Sequence, residues 1–134
     1  MASILLVGAD AALVEGIAQA LSAAGHHVLT AGSIAEATFV ATAAAPLLAV
    51  VERELLSNAA ALRALGLAPG GAVVVFGNPD TPLPAPVRRA VLAELRLPLE
   101  RARLIALAMH VQARIRHTGR GVTPPTPPES RPGV

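Results

Sequence analysis

Two acidic residues follow short apolar runs, at the places where strands are predicted to end. Asp10 comes soon after the apolar residues 4–7, and Glu52 directly follows the apolar residues 47–51. In open α/β sheets, ligands bind at the carboxyl ends of the strands, so carboxylates at these two points are the first candidates for chemistry. Such side chains can hold a hard cation like Mg²⁺. The chain has no cysteine, which excludes thiolate catalysis and cysteine-containing zinc sites.

The apolar runs alternate with helical patterns through residues 1–117. Strands are predicted at 4–7, 28–29, 47–52, 71–76 and 94–97. Helices are predicted at 11–24, 34–44, 59–65, 87–93 and 99–117. This alternation is typical of an α/β fold with a parallel sheet, helices on both faces and right-handed crossovers. We predict a five-stranded, doubly wound, flavodoxin-like (βα)5 fold with the strand order 2-1-3-4-5.

Polar residues and glycines mark the predicted helix ends. Asp10 is the predicted N-cap of the first helix, and Gly25 is predicted to stop it. The alternative for Asp10 is a role as a metal ligand. Ser33 and Glu36 have the spacing of a capping box at the start of the second helix. Similar signals bound the third helix, namely Ser57 or Asn58 before it and Gly66 after it.

The composition indicates one ordinary domain with a tail. Residues 1–117 are numerous enough to bury a core, whereas the proline-rich residues 118–134 are predicted to be disordered. Although 53% of the residues are hydrophobic, no run approaches the about 20 apolar residues that a membrane-spanning helix needs. The sequence shows no secretory signal, so we expect a cytoplasmic location.

The charge of the chain comes from arginine. The net charge is only +2, and the 11 basic residues are all arginine. With two phenylalanines and no tryptophan or tyrosine, the chain has few side chains on which bases could stack. No helix-turn-helix follows the domain, and neither G-x-G-x-x-G nor G-K-[ST] occurs. We therefore expect no binding of nucleic acid or membrane, and no nucleotide-dependent enzyme.

Five segments in sequence order resemble the receiver domain of bacterial two-component response regulators. They are ILLVGAD, ALSAAGHHVLTA, SIAEAT, APLLAVVE and RLPLERARL. The resemblance covers residues 3–116, which is nearly the whole predicted domain. Receiver domains accept a phosphoryl group on an aspartate with the help of Mg²⁺, so the resemblance implies a role in signalling.

The reactive positions of the resembling family are all substituted in this sequence. The two acidic residues that hold Mg²⁺ fall on Gly8 and Ala9, and the phosphoacceptor aspartate falls on Glu52. The Thr or Ser after the fourth strand falls on Gly77, and the Lys before a cis proline falls on Leu97. The resemblance therefore implies a degenerate phosphoacceptor pocket made of Gly8, Ala9, Asp10, Glu52, Gly77, Leu97 and Pro98.

Phosphoryl transfer depends on positioning and on neutralising charge, so these substitutions predict a protein that does not perform it. Our leading hypothesis is a pseudo-receiver that signals in a two-component-type pathway by protein–protein interaction, without catalysis, cofactor or metal. The alternative is a phosphoryl-accepting receiver with a non-standard site built on Glu52 and Asp10. Glu52 itself is either a partial mimic of the phosphorylated state or a solvated strand end paired with Arg53 or Arg96.

A protein partner is expected on the side of the domain formed by the fourth helix, the fifth strand and the last helix. The resemblance implies that this side serves output or dimerisation. The residues predicted to form the partner face are Arg88, Arg89, Arg96, Arg103 and His110. A homodimer through the last helix is a further possibility, if that helix carries an uninterrupted apolar patch. The helix itself is predicted from Leu104, Ala108, Val111 and Ile115, which share one face of it.

Overall fold

The computed structural model of the chain describes residues 3–41 and 45–122, and the side chains of these residues up to 114. In this part of the chain, strands and helices alternate. The strands are β1 (Ser3–Val7), β2 (His27–Ala31), β3 (Leu48–Glu52), β4 (Ala72–Phe76) and β5 (Val91–Leu95). The helices are α1 (Ala11–Ala23), α2 (Ile34–Ala41), α3 (Ala59–Ala64), α4 (Ala85–Ala90) and α5 (Arg101–Val122).

The strands form one parallel sheet with the order β2-β1-β3-β4-β5, which confirms the predicted fold. The register aligns the carboxyl ends of the central strands. Val7 lies beside Val51, and Glu52 lies beside Phe76. The residues that follow β1, β3, β4 and β5 therefore meet at one edge of the sheet.

The alternation of side chains along β1 divides the core into two layers. Ile4 and Leu6 pack on the face covered by α1 and α5, whereas Leu5 and Val7 pack on the opposite face with residues of α2, α3 and α4. Both faces of β3 and β4 are buried, which explains why these strands are continuously apolar up to Glu52 and Phe76. Among the described residues, no helix is long and apolar enough to cross a bilayer.

The predicted helix ends are largely confirmed. Asp10 caps α1 by accepting a hydrogen bond from the Leu13 N–H at 3.1 Å, and Asn58, rather than Ser57, caps α3. Gly25 and Gly66 follow α1 and α3 with positive φ angles of 95° and 61°. Ser33 accepts from the Glu36 N–H as in a capping box, although the Glu36 carboxylate reaches back to the Gly32 N–H instead.

Three elements, α4, β5 and α5, differ most clearly from the prediction. Helix α4 begins at Ala85, with Pro86 in its first turn. Proline is tolerated there because a backbone N–H in the first turn would have no hydrogen-bond partner within the helix. The chain then enters β5 without a loop, so β5 spans Val91–Leu95 rather than 94–97. Helix α5 begins at Arg101 and continues to Val122, past the predicted end at 117. The rest of the predicted tail, residues 123–134, lies outside the described residues, as do 42–44 of the predicted second helix.

Candidate functional site

A hollow of about 570 Å³ opens at the carboxyl edge of the sheet. Four of its lining residues were predicted for the degenerate pocket, so the structure brings Asp10, Glu52, Gly77 and Leu97 together. Leu13, Phe76, Pro79 and Arg96 complete the lining. Gly8 and Ala9 lie next to this hollow, beside the Glu52 carboxylate.

Glu52 reaches from the end of β3 to the turn between β1 and α1. Its Oε1 atom accepts a hydrogen bond from the Ala9 N–H at 2.7 Å. The predicted pairing of Glu52 with Arg53 or Arg96 is wrong, because neither guanidinium forms an ion pair with it. A backbone N–H therefore occupies one oxygen of the Glu52 carboxylate.

Phe76 fills the space beside Gly8. A Cβ atom added to Gly8 would lie 3.1 Å from Phe76 Cζ and 3.0 Å from Val14 Cγ2. Phe76 is only 5% exposed, and its ring also forms part of the wall of the hollow. A side chain at position 8 would therefore require this ring or Val14 to shift by a few tenths of an ångström.

The backbone at Gly77 disfavours any residue with a side chain. Its φ angle is +115°, a conformation that residues with a Cβ rarely adopt. A Cβ atom at this position would also lie 2.7 Å from Glu54 Oε1. The local backbone therefore disfavours a hydroxyl-bearing residue at this position, whereas the exposed Glu54 side chain could turn aside.

Leu97 and Pro98 keep the backbone of the resembling family without its cation. The Leu97–Pro98 peptide bond is cis, and the half-buried Leu97 side chain packs against the core. Arg96, predicted for the partner face and as a possible partner of Glu52, lines the hollow. Its backbone N–H donates to Glu100 Oε1 at 2.7 Å, and this bond holds the pKa of the Glu100 carboxyl below its usual value.

The chain has the fold of response regulator receiver domains. A receiver domain protein from Clostridium thermocellum superposes with a TM-score of 0.71 at 19% identity, covering 88% of this chain and 99% of that one. A CheY-like receiver domain protein from Methanospirillum hungatei JF-1 gives 0.69 at 17%, with coverages of 87% and 98%. NtrX from Brucella abortus, in complex with ATP, gives 0.73 at 24%, with coverages of 89% and 28%.

These likenesses show the fold, and they confirm the predicted resemblance at that level. No family sequence model matches the chain, and no curated protein matches it.

Arg53 forms a network that the sequence analysis did not anticipate. Its Nε donates to the Thr81 carbonyl oxygen, and its Nη1 forms an ion pair with Glu94 on β5. The Arg53 side chain is 11% exposed, whereas that of Glu94 is 54% exposed. This arginine therefore ties the end of β3 to β5 and to the segment between β4 and α4. The only sequence signal was the arginine directly after Glu52. Its partner Glu94 was not recognised because β5 was predicted at 94–97 instead of 91–95.

The remaining residues of the predicted partner face lie on the surface. Arg88 and Arg89 are exposed on α4, and Arg103 and His110 are exposed on α5. Arg103 and His110 lie seven residues apart, which places them on the same side of that helix. Arg103 pairs with Glu100 at 3.3 Å. Most of this surface is therefore basic, and the exposed Leu92 of β5 contributes an apolar patch.

Proposed function

We propose that this chain is a pseudo-receiver, a signalling domain that binds a protein partner without accepting a phosphoryl group. The observation that carries the proposal is the packing of the Phe76 ring against Gly8. At this position the resembling family has a metal-binding carboxylate. Here the space beside the backbone is occupied by apolar atoms.

The charge balance of the hollow supports this function. Mg²⁺ is held by several oxygen ligands and neutralises charge on the transferring phosphoryl group. Among the described residues, no three histidine, aspartate or glutamate side chains come close enough to ligate one metal ion. Of the two acidic side chains at the hollow, Asp10 caps α1 and Glu52 accepts from Ala9. One oxygen of each is therefore already engaged.

One observation favours the alternative of a phosphoryl-accepting site built on Glu52 and Asp10. The Arg96 side chain lies at the wall of the hollow and forms no ion pair among the described residues. It supplies a positive charge one residue before the position of the family's lysine. This cation alone does not replace the metal, since the carboxylates at positions 8 and 9 are still missing. We therefore retain the pseudo-receiver as the better-supported function.

The proposed partner carries an acidic surface. Arg88, Arg89 and His110 have no acidic partner among the described side chains, so they are available to meet one. Complementary charge of this kind favours fast and specific association. A second copy of the chain, docked through the outer side of α5 where Met109 is 59% exposed, is the competing partner. Sedimentation of the pure protein at increasing concentration distinguishes the two, because only self-association raises the mass.

Incubation with acetyl phosphate and Mg²⁺, followed by intact mass spectrometry, tests the absence of phosphorylation. We expect no phosphorylated species, whereas a receiver domain with its aspartate and metal ligands is modified under the same conditions. A phosphorylated species that disappears in Glu52→Gln would establish the alternative. Calorimetry with Mg²⁺ provides an independent check, since the alternative requires heat of binding that Asp10→Asn abolishes.

A further inference from the structure

The walls of the hollow carry opposite charges on opposite sides. Asp10 and Glu52 stand at the ends of β1 and β3, and Arg96 stands just after β5. β4 lies between these two sides, and neighbouring strands in a sheet are about 4.8 Å apart. The backbones that bear Glu52 and Arg96 are therefore separated by two strand spacings, about 10 Å. This separation agrees with the absence of an ion pair between the two side chains.

The surface between the two charges is apolar. Phe76 forms the floor at the end of β4, and Leu13, Leu97 and Pro79 form the sides. The volume of about 570 Å³ lies within the roughly 300–1,000 Å³ typical of small-molecule sites. Such sites combine an apolar lining with a few polar groups that fix the orientation of the ligand. This hollow has that composition.

The charges restrict the class of ligand. A bare anion such as phosphate would meet two carboxylates, and a bare divalent cation would find only two acidic side chains with a guanidinium opposite them. An uncharged apolar molecule would make no use of the charged groups on either side of the hollow. A ligand that pairs with the charged groups on both sides and contacts the apolar surface between them needs a positive end, an apolar middle and a negative end.

We propose that the hollow binds a small organic zwitterion whose ammonium and carboxylate groups stand at opposite ends of an apolar chain. The ammonium group lies between Asp10 and Glu52, where each carboxylate has a second oxygen that the cap and the Ala9 N–H leave available. The carboxylate of the ligand pairs with Arg96, whose guanidinium forms a bidentate contact. The chain lies across Phe76. This site goes beyond the proposed partner-binding function and does not depend on it.

Amide NMR titration of the full chain with 6-aminohexanoate tests the proposal. We expect saturable shifts of the Ala9, Gly77 and Leu97 amides, which surround the hollow. Hexanoate lacks the ammonium group, and hexylamine lacks the carboxylate. Leucine is an isomer of the probe with its two charges on adjacent carbons. Each of these three compounds should bind at least about tenfold more weakly, since a charge-assisted hydrogen bond is lost or misplaced.

Conservative variants assign the two ends of the ligand. Glu52→Gln and Arg96→Gln should each weaken 6-aminohexanoate binding about tenfold, and Glu52→Gln should leave hexanoate binding unchanged. Glu15→Gln on α1 and Arg63→Gln on α3 are matched controls, because these exposed residues do not line the hollow. Absence of saturable shifts, equal binding of hexylamine, or equal loss in the controls would overturn the proposal. Phosphorylation status has no bearing on any of these outcomes.

Discussion

The ring of Phe76 occupies the space into which a side chain at Gly8 would project, with Phe76 Cζ 3.1 Å from the position of the missing Cβ. The two residues come from adjoining parts of the sheet edge, one after β1 and one at the end of β4. An added Cβ at position 8 therefore requires Phe76 or Val14 to shift by a few tenths of an ångström.

Gly8→Ala should lower the free energy of unfolding by about 1 kcal/mol, because the added methyl group overpacks against Phe76 and Val14. Gly16→Ala is the matched control. Position 16 lies within α1 with nothing close to an added Cβ, so this variant should gain about 1 kcal/mol from helix propensity. Urea denaturation measures both. Equal changes in the two variants would show that the space beside Gly8 is open.

Gly77→Ala should cost about 1–3 kcal/mol of unfolding free energy, mainly because φ at Gly77 is +115°. The exposed Glu54 carboxylate lies 2.7 Å from an added Cβ but can turn aside at a smaller cost. Gly25→Ala reports the backbone part alone, because φ at Gly25 is +95° and an added Cβ meets nothing within 4 Å. We expect Gly77→Ala to be the more destabilising change, and its excess to disappear when Glu54→Ala is also present. An excess that survives Glu54→Ala would contradict the assigned cause.

The pair of Arg53 and Glu94 should behave asymmetrically, because the arginine is nearly buried and the glutamate is half exposed. Arg53→Leu should cost about 1–2 kcal/mol, since it also removes the bond to the Thr81 carbonyl. Glu94→Gln should cost only about 0.5 kcal/mol. Arg103→Gln in the exposed pair with Glu100 is the control and should change stability even less. Urea melts at low and high salt measure these differences, and a larger loss for Glu94→Gln would argue against the asymmetry.

His26 should make the protein less stable in acid. The residue is 7% exposed, and neither ring nitrogen has a hydrogen-bond partner within the described part of the chain. Burial lowers its pKa below the ordinary 6.5, so the unfolded chain takes up a proton before the folded one does. The free energy of unfolding should therefore be unaffected by this group above about pH 7 and fall as the pH drops below about 6.5.

The variant His26→Phe should flatten this pH dependence between about pH 7 and pH 5, because it removes the titrating group while filling the same space. His27→Gln alters the exposed neighbour and should leave the dependence in place. Denaturation across this pH range measures the slope for all three proteins. A slope that persists in His26→Phe would assign the acid sensitivity to other groups.

The sequence was sufficient for the topology because local signals agreed with the global fold. The buried runs before Glu52 and Gly77, the cap at Asp10 and the stop at Gly25 each have a short-range cause. The position of β5 was wrong because α4 passes into it without any turn residue between Ala90 and Val91. The start of α4 was predicted two residues too late, because Pro86, which lies in its first turn, was taken to end the preceding loop.

The contacts of the site depend on residues distant in sequence, and these could not be predicted. The bond from Ala9 to Glu52 joins residues 43 positions apart, and that from Arg53 to Glu94 joins residues 41 positions apart. Arg96 faces the hollow because β5 ends at Leu95, two residues earlier than predicted. Phe76 was recognisable only as the last residue of a strand, although its position directly before Gly77 was a usable signal.

Beryllofluoride, an analogue of the phosphoryl group, tests most directly the proposal that this receiver fold binds neither Mg²⁺ nor a phosphoryl group. Amide NMR spectra are recorded as beryllofluoride and Mg²⁺ are added to the full chain. We predict that the amides of Ala9, Gly77 and Leu97 do not shift. Saturable shifts of these amides that require both reagents, and that vanish in Glu52→Gln, would contradict the claim.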